Sequence, residues 1–182
     1  MRALLIIDMQ QVSFTPKTPR FEAEEVVERI NLIADQFRKE NELVIFIQHD
    51  GTKEGECIPG TDEWQLLPSL KISSSDRLVH KTANDAFYRT ELKDILESNK
   101  VDELVITGCA TDFCVDATVK SALVNDYNIT VIGNAHTTAD RGEFTSASLV
   151  KYYNWLWQCM SPTEGKIEVI TYSELLEKYD IA

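Results

Sequence analysis

The chain has 182 residues, a net charge of −12 and a hydrophobic share of 43%, which is ordinary for a soluble globular protein. Its length suits one domain, taken as 1–182, with a core large enough to need no disulfide staples. No basic stripe exists to neutralise phosphates or to meet an anionic membrane, so the charge argues against nucleic acid and membrane as partners and leaves small neutral or cationic substrates open.

The elements follow in chain order. Arg2–Ile7 reads as a strand whose apolar run is too short for a signal core or a membrane span, and Asp8 ends it. From Glu22 to Lys39, the positions Val26, Ile30, Ile33, Ala34 and Phe37 form a helical stripe. Leu43–Gln48 is the second strand. Residues 51–68 hold Gly51, Gly55, Pro59 and Gly60 and form a loop long enough to suspect function. A short strand over Arg77–His80, a helix over Thr90–Ser98 and a strand over Glu103–Thr107 come next. A helix over Thr111–Asn125, a strand over Ile129–Ile132, a helix over Thr145–Met160, a strand over Ile167–Ile170 and a helix over Tyr172–Tyr179 complete the chain. This alternation predicts an α/β fold with a mainly parallel sheet and helices on both faces, because a parallel crossover is most simply made by a helix.

Cys114 stands where a buried-type strand turns into a helix. Gly108 permits the turn, and Thr111 is the expected N-cap, which places Cys114 in the first helical turn. There, unpaired N–H groups and the helix dipole favour a thiolate. In open α/β sheets the ligand crevice lies beyond the carboxyl ends of the strands. Asp8, Lys81 and Cys114 all fall at such ends, so three reactive side chains share one edge. Asp8 is the candidate proton acceptor, Lys81 the candidate stabiliser of the anion, and Cys114 the candidate nucleophile. Backbone N–H groups between Ala110 and Cys114 are the candidate oxyanion hole. Such a set suits acyl transfer from a small amide through a thioester.

Three ordered motifs carry a resemblance: Leu4-Leu5-Ile6-Ile7-Asp8-Met9-Gln10, Lys81 followed by Ala86-Phe87, and Gly108-Cys109-Ala110-Thr111-Asp112-Phe113-Cys114-Val115. With Gln48-His49-Asp50, residues 60–64 and residues 135–141, the chain resembles the isochorismatase-like cysteine hydrolases nearly end to end. The resemblance implies a six-stranded parallel sheet in a three-layer α/β/α sandwich, a triad of Asp8, Lys81 and Cys114, and a cis peptide at Cys109–Ala110. It implies a homo-oligomer as well. The nicotinamidase branch binds a metal through an Asp-x-His pair and a further histidine. Here that region offers only His49-Asp50, so no metal and no cofactor are expected. A vinyl-ether hydrolase of the isochorismate type, in which Cys114 is dispensable, is the alternative, as is a thiol-sensing or ligand-binding module on the same fold.

Bland readings stand beside these. Free cysteines are usually small buried hydrophobes, most lysines are solvated, and Asp8 serves equally as a turn cap. Cys109 reads as a packing residue, and the four cysteines (57, 109, 114 and 159) show no CxxC pair, as expected of reduced thiols in the cytoplasm. His49, Trp64, Phe87 and Phe113 are the candidate pocket residues, with core packing as the alternative for each aromatic. His136 is either a ligand or a satisfied buried histidine, and Asp140 with Arg141 a local ion pair. No arginine cluster for a doubly anionic acid is evident. On the helix over 145–160, Leu149, Tyr153, Leu156 and Met160 form the expected core stripe, which leaves Trp155 and Tyr152 for a subunit interface.

Overall fold

The structure, a computed structural model, describes residues 1–179; the last three residues of the expected 1–182 domain lie outside the described residues. Six strands, β1 (Arg2–Ile7), β2 (Leu43–His49), β3 (Arg77–Lys81), β4 (Glu103–Cys109), β5 (Asn128–Thr137) and β6 (Ile167–Ile170), form one sheet in the order β3-β2-β1-β4-β5-β6. Every pairing is parallel. The five α-helices are α1 (Ala23–Lys39), α2 (Leu92–Ser98), α3 (Asp116–Val124), α4 (Ser146–Gln158) and α5 (Tyr172–Lys178). Among the described residues no helix is long and apolar enough to cross a membrane.

The continuous apolar run of β1 follows from burial on both faces. Ala3, Leu5 and Ile7 join a core with Leu92 and Leu96 of α2, Val119 and Ala122 of α3, and Trp157 of α4. Leu4 and Ile6 point the other way, to Val26, Ile30, Ile33 and Phe37 of α1 and Leu175 of α5. The result is the three-layer α/β/α sandwich expected from the sequence. The chain reverses its direction of travel across the sheet between β1 and β4, which is where such sheets open a ligand crevice.

Several expectations need correction. Gly108 lies inside β4, at a φ of +119°, and a Cβ there would stand 2.2 Å from the Ile7 carbonyl oxygen. Glycine is therefore required for the close approach of β4 to β1 as well as for its backbone conformation. Thr111 is no N-cap: residues 111–115 form a π-helical turn ahead of α3, and the Thr111 hydroxyl meets His136 Nδ1 at 2.8 Å. β5 runs five residues beyond Ile132, with a register shift against β4 between Ile106 and Gly108. Its polar end is tolerated because buried His136 and Thr137 both find partners: Asn154 Oδ1 lies 2.8 Å from His136 Nε2, and Thr137 donates to the Phe21 carbonyl.

On α4 the buried residues are Val150 and Trp157; of the expected stripe, Tyr153 and Met160 pack partly buried against the same core, whereas Val150 and Trp157 take the places expected of Leu149 and Leu156. The Trp157 indole N–H donates to Asp116 Oδ1 at 3.0 Å, and this partner allows the ring to be fully buried. Trp155 and Tyr152 do face outward, at 57% and 50% exposure.

Candidate active site

Asp8 follows β1 with a φ of +45°, an abrupt turn that aspartate tolerates better than most residues. Its N–H donates to the Ile47 carbonyl of β2. Two residues on, the Gln10 amide bridges β1 to β2 by accepting from His49 N and donating to the carbonyls of His49 and Trp64. Lys81 is the last residue of β3 and is only 1% exposed. The Cys109–Ala110 peptide after β4 is cis, and the following π-helical turn presents Cys114. The strand ends thus bring Asp8, Lys81 and Cys114 together.

Lys81 Nζ lies 2.6 Å from Asp8 Oδ2, 3.0 Å from the Ala83 carbonyl oxygen, 3.3 Å from Cys114 Sγ and 3.5 Å from His49 Nδ1. Asp8 Oδ1 is buried and carries no hydrogen bond. The Cys114 thiol donates to Asn84 Oδ1 at 3.7 Å. The Ala110 N–H donates to no protein acceptor among the described residues, while the Ala110 carbonyl receives the N–H groups of Phe113 and Val115.

The electrostatics differ from those expected of a helix start. Burial pushes the Cys114 thiol well above the usual thiol range, the Asp8 carboxylate pushes it further, and Lys81 only partly opposes them. Burial also works against the Lys81 charge, but Asp8 and Cys114 outweigh it and hold the ammonium above the ordinary lysine value. Burial and Asp8 thus both act to keep the proton on the Cys114 thiol beside the Asp8–Lys81 pair.

A cavity of about 330 Å³ opens over Cys114. His49 and Phe113 line it; Trp64 and Phe87 do not. The Trp64 ring packs edge-on against His80 with centroids 5.2 Å apart, and Phe87 stacks on Tyr127 within the core. Both are held by neighbouring rings, a partnership that residue type alone does not reveal. Arg20 and Arg141 also line the cavity, although they lie 121 positions apart and no sequence periodicity links them. Arg141 pairs with Asp112, Nε to Oδ2 at 2.8 Å, rather than with Asp140, whose carboxylate accepts from Ser146 N. His136 is the satisfied buried histidine: burial pushes it down to about 4, against a smaller opposing effect of Asn154. Among the described residues no group of three His, Cys, Asp or Glu side chains is placed to hold a metal ion.

The Isochorismatase domain family matches residues 2–161. The chain belongs to the isochorismatase family. A crystal structure of an isochorismatase family protein superposes on it with a TM-score of 0.86 at 30% identity, covering 93% of this chain and 98% of the other. Among its isochorismatase-family relatives, streptothricin hydrolase of Streptomyces noursei is 30% identical over 139 residues, 76% of this chain and 55% of that protein. Ureidoacrylate amidohydrolase of Caulobacter vibrioides is 27% identical over 100 residues, 53% of this chain and 44% of that enzyme. The chain thus spans about half the length of these two relatives.

Proposed function

We propose that the protein is a metal-independent cysteine hydrolase of small amide, ureido or carbamoyl compounds. One observation carries this reading: the Cys114 thiol sits beside a carboxylate that has one oxygen on Lys81 and the other unbonded. Asp8 Oδ1 is free to take the thiol proton as Sγ attacks the substrate carbonyl carbon and forms a C–S bond. The N–H groups of Ala110 and Cys114 receive the oxyanion. The carbonyl re-forms as the C–N bond breaks, and protonated Asp8 returns its proton to the departing nitrogen. Water, deprotonated by Asp8, then attacks the thioester; the C–S bond breaks, the acid leaves, and the proton returns to sulfur. Lys81 stays charged throughout and stabilises the transient thiolate.

The amide-type carbonyl is favoured because a sulfur nucleophile with an oxyanion site serves acyl carbon. The names of the relatives, a hydrolase and an amidohydrolase, agree with that chemistry. The test is turnover of an amide and ureide panel by the wild type, Cys114→Ala and Asp8→Asn, with intact-mass analysis of acid-quenched wild type. Loss of turnover in both variants, with an acyl adduct on Cys114, is the expected result. Turnover surviving in Cys114→Ala would sink the thioester route and favour a cysteine-independent hydrolase. No turnover of any compound by the wild type would favour a binding module.

A further inference from the structure

Five arginines are partly buried: Arg2, Arg20, Arg29, Arg38 and Arg141. Arg2 pairs with Glu40 and Glu42, Arg29 with Glu22, Arg38 with Asp35 and Asp76, and Arg141 with Asp112. Arg20 has no carboxylate within 4 Å among the described residues, and it is the one whose side chain lines the cavity without an ion pair. Its Nε donates to the Ser13 carbonyl. The terminal edge of the guanidinium makes no hydrogen bond among the described residues, and Nη1 is buried.

An uncompensated, partly buried cation is costly in a fold whose charges are otherwise paired. Two of the other charges that line the cavity are paired with residues behind its wall, Asp8 with Lys81 and Arg141 with Asp112. Only Glu54 and Glu56 remain, and both are exposed, where solvent screens them. Arg20 also stands near the nucleophile loop: burial raises the Cys109 thiol to about 11, and the Arg20 charge is the largest influence opposing that rise. Guanidinium N–H groups left without an acceptor are donors that a carboxylate satisfies well.

We infer that Arg20 is a specificity residue that receives a carboxylate of the substrate, so that the preferred compounds are amides or ureides bearing one carboxylate. The inference rests on the hydrolase reading for the fate of the bound compound but not for its binding. One unpaired guanidinium serves one carboxylate, which keeps the ligand singly charged. The net charge of −12 points instead to neutral or cationic substrates, because a whole-chain charge does not show that an unpaired arginine lines the cavity.

The test uses a matched pair, N-carbamoylglycine and its neutral counterpart N-carbamoylglycinamide. Binding of each is measured calorimetrically to the full-length Cys114→Ser protein, and turnover of each by the wild type. The acid is expected to bind at least tenfold more tightly than the amide, with an advantage that shrinks as salt is raised. In Arg20→Gln that ratio is expected to fall to near one, and in Arg20→Lys, which keeps the charge without the guanidinium, to an intermediate value. Equal binding of the pair, tighter binding of the amide, or no binding of either at millimolar concentration would overturn the inference. So would an acid preference that persists in Arg20→Gln. Cys114-dependent turnover of neutral amides without any acid preference would leave the hydrolase reading intact while removing the role of Arg20. Arg20-dependent binding of the acid with no turnover would do the reverse.

Discussion

Asp8 and Lys81 meet at 2.6 Å with both side chains nearly closed to solvent, and the second oxygen of Asp8 is left without a hydrogen bond. The pair therefore holds a charge in place and keeps a proton acceptor idle beside Cys114. Neither residue is tolerable there alone, because an isolated charge at such a depth has no solvation.

Replacing Lys81 with Met strands the carboxylate and is expected to destabilise the fold by about 3–5 kcal/mol as well as abolish turnover. The double variant Lys81→Met with Asp8→Asn removes both charges and is expected to recover much of that stability without recovering activity. Urea denaturation of the wild type, both single variants and the double variant measures the coupling directly. Additive losses would mean that the pair contributes nothing as a pair.

The alkylation profile of Cys114 follows from the same charges. Because burial and Asp8 both raise its thiol, iodoacetamide at neutral pH is expected to modify exposed Cys159 faster than Cys114. Asp8→Asn removes one of the two raising influences, so the onset of Cys114 alkylation should move to lower pH while hydrolysis is lost. Mass mapping of all four cysteines between pH 6 and 10 (a range chosen around the ordinary thiol value of about 8.5) separates these effects. A Cys114 that reacts fastest at pH 7 in the wild type would contradict this geometry and restore the helix-start thiolate.

Much of the scaffold was legible in the sequence because its signals are local. Leu4 to Ile7, buried on both faces, and the stripe from Val26 to Phe37 each declare one element. The gathering of Asp8, Lys81 and Cys114 was legible because parallel sheets send strand ends to one edge. Other features depend on partners distant in sequence. Thr111 turns to His136 instead of capping a helix, Trp157 is buried because Asp116 accepts its N–H, and Phe87 is drawn into the core by Tyr127. The Cys114 thiol escaped a local reading for the same reason, since burial and Asp8 outweigh the helix start.

His136 makes stability depend on pH. Its folded value of about 4 lies below the ordinary 6.5, so between these limits the unfolded chain binds more protons. The contribution is present above pH 6.5 and is lost as pH falls toward 4, amounting to about 3 kcal/mol across the window. His136→Gln, which still offers an amide to Thr111 and Asn154, is expected to lower stability at pH 7.5 and to flatten the slope between pH 6.5 and 4. Equal slopes for wild type and variant would place the proton uptake elsewhere.

Gly108 separates a glycine needed for space from one needed only for conformation. A Cβ at Gly108 meets the Ile7 oxygen at 2.2 Å and the Ile7 nitrogen at 2.5 Å, at a φ of +119°. Both contacts are backbone atoms of the central strand, so relief would require β1 and β4 to part where Asp8 and the nucleophile loop emerge. Gly142 also has a positive φ, +58°, but a Cβ there meets nothing within 4 Å. Gly142→Ala is expected to cost about 1 kcal/mol, the ordinary penalty for a left-handed alanine. Gly108→Ala is expected to exceed about 4 kcal/mol, in the range reserved for named core defects. Thermal melting of the two variants against wild type decides the matter, since similar losses would show that β1 and β4 have slack at this crossing.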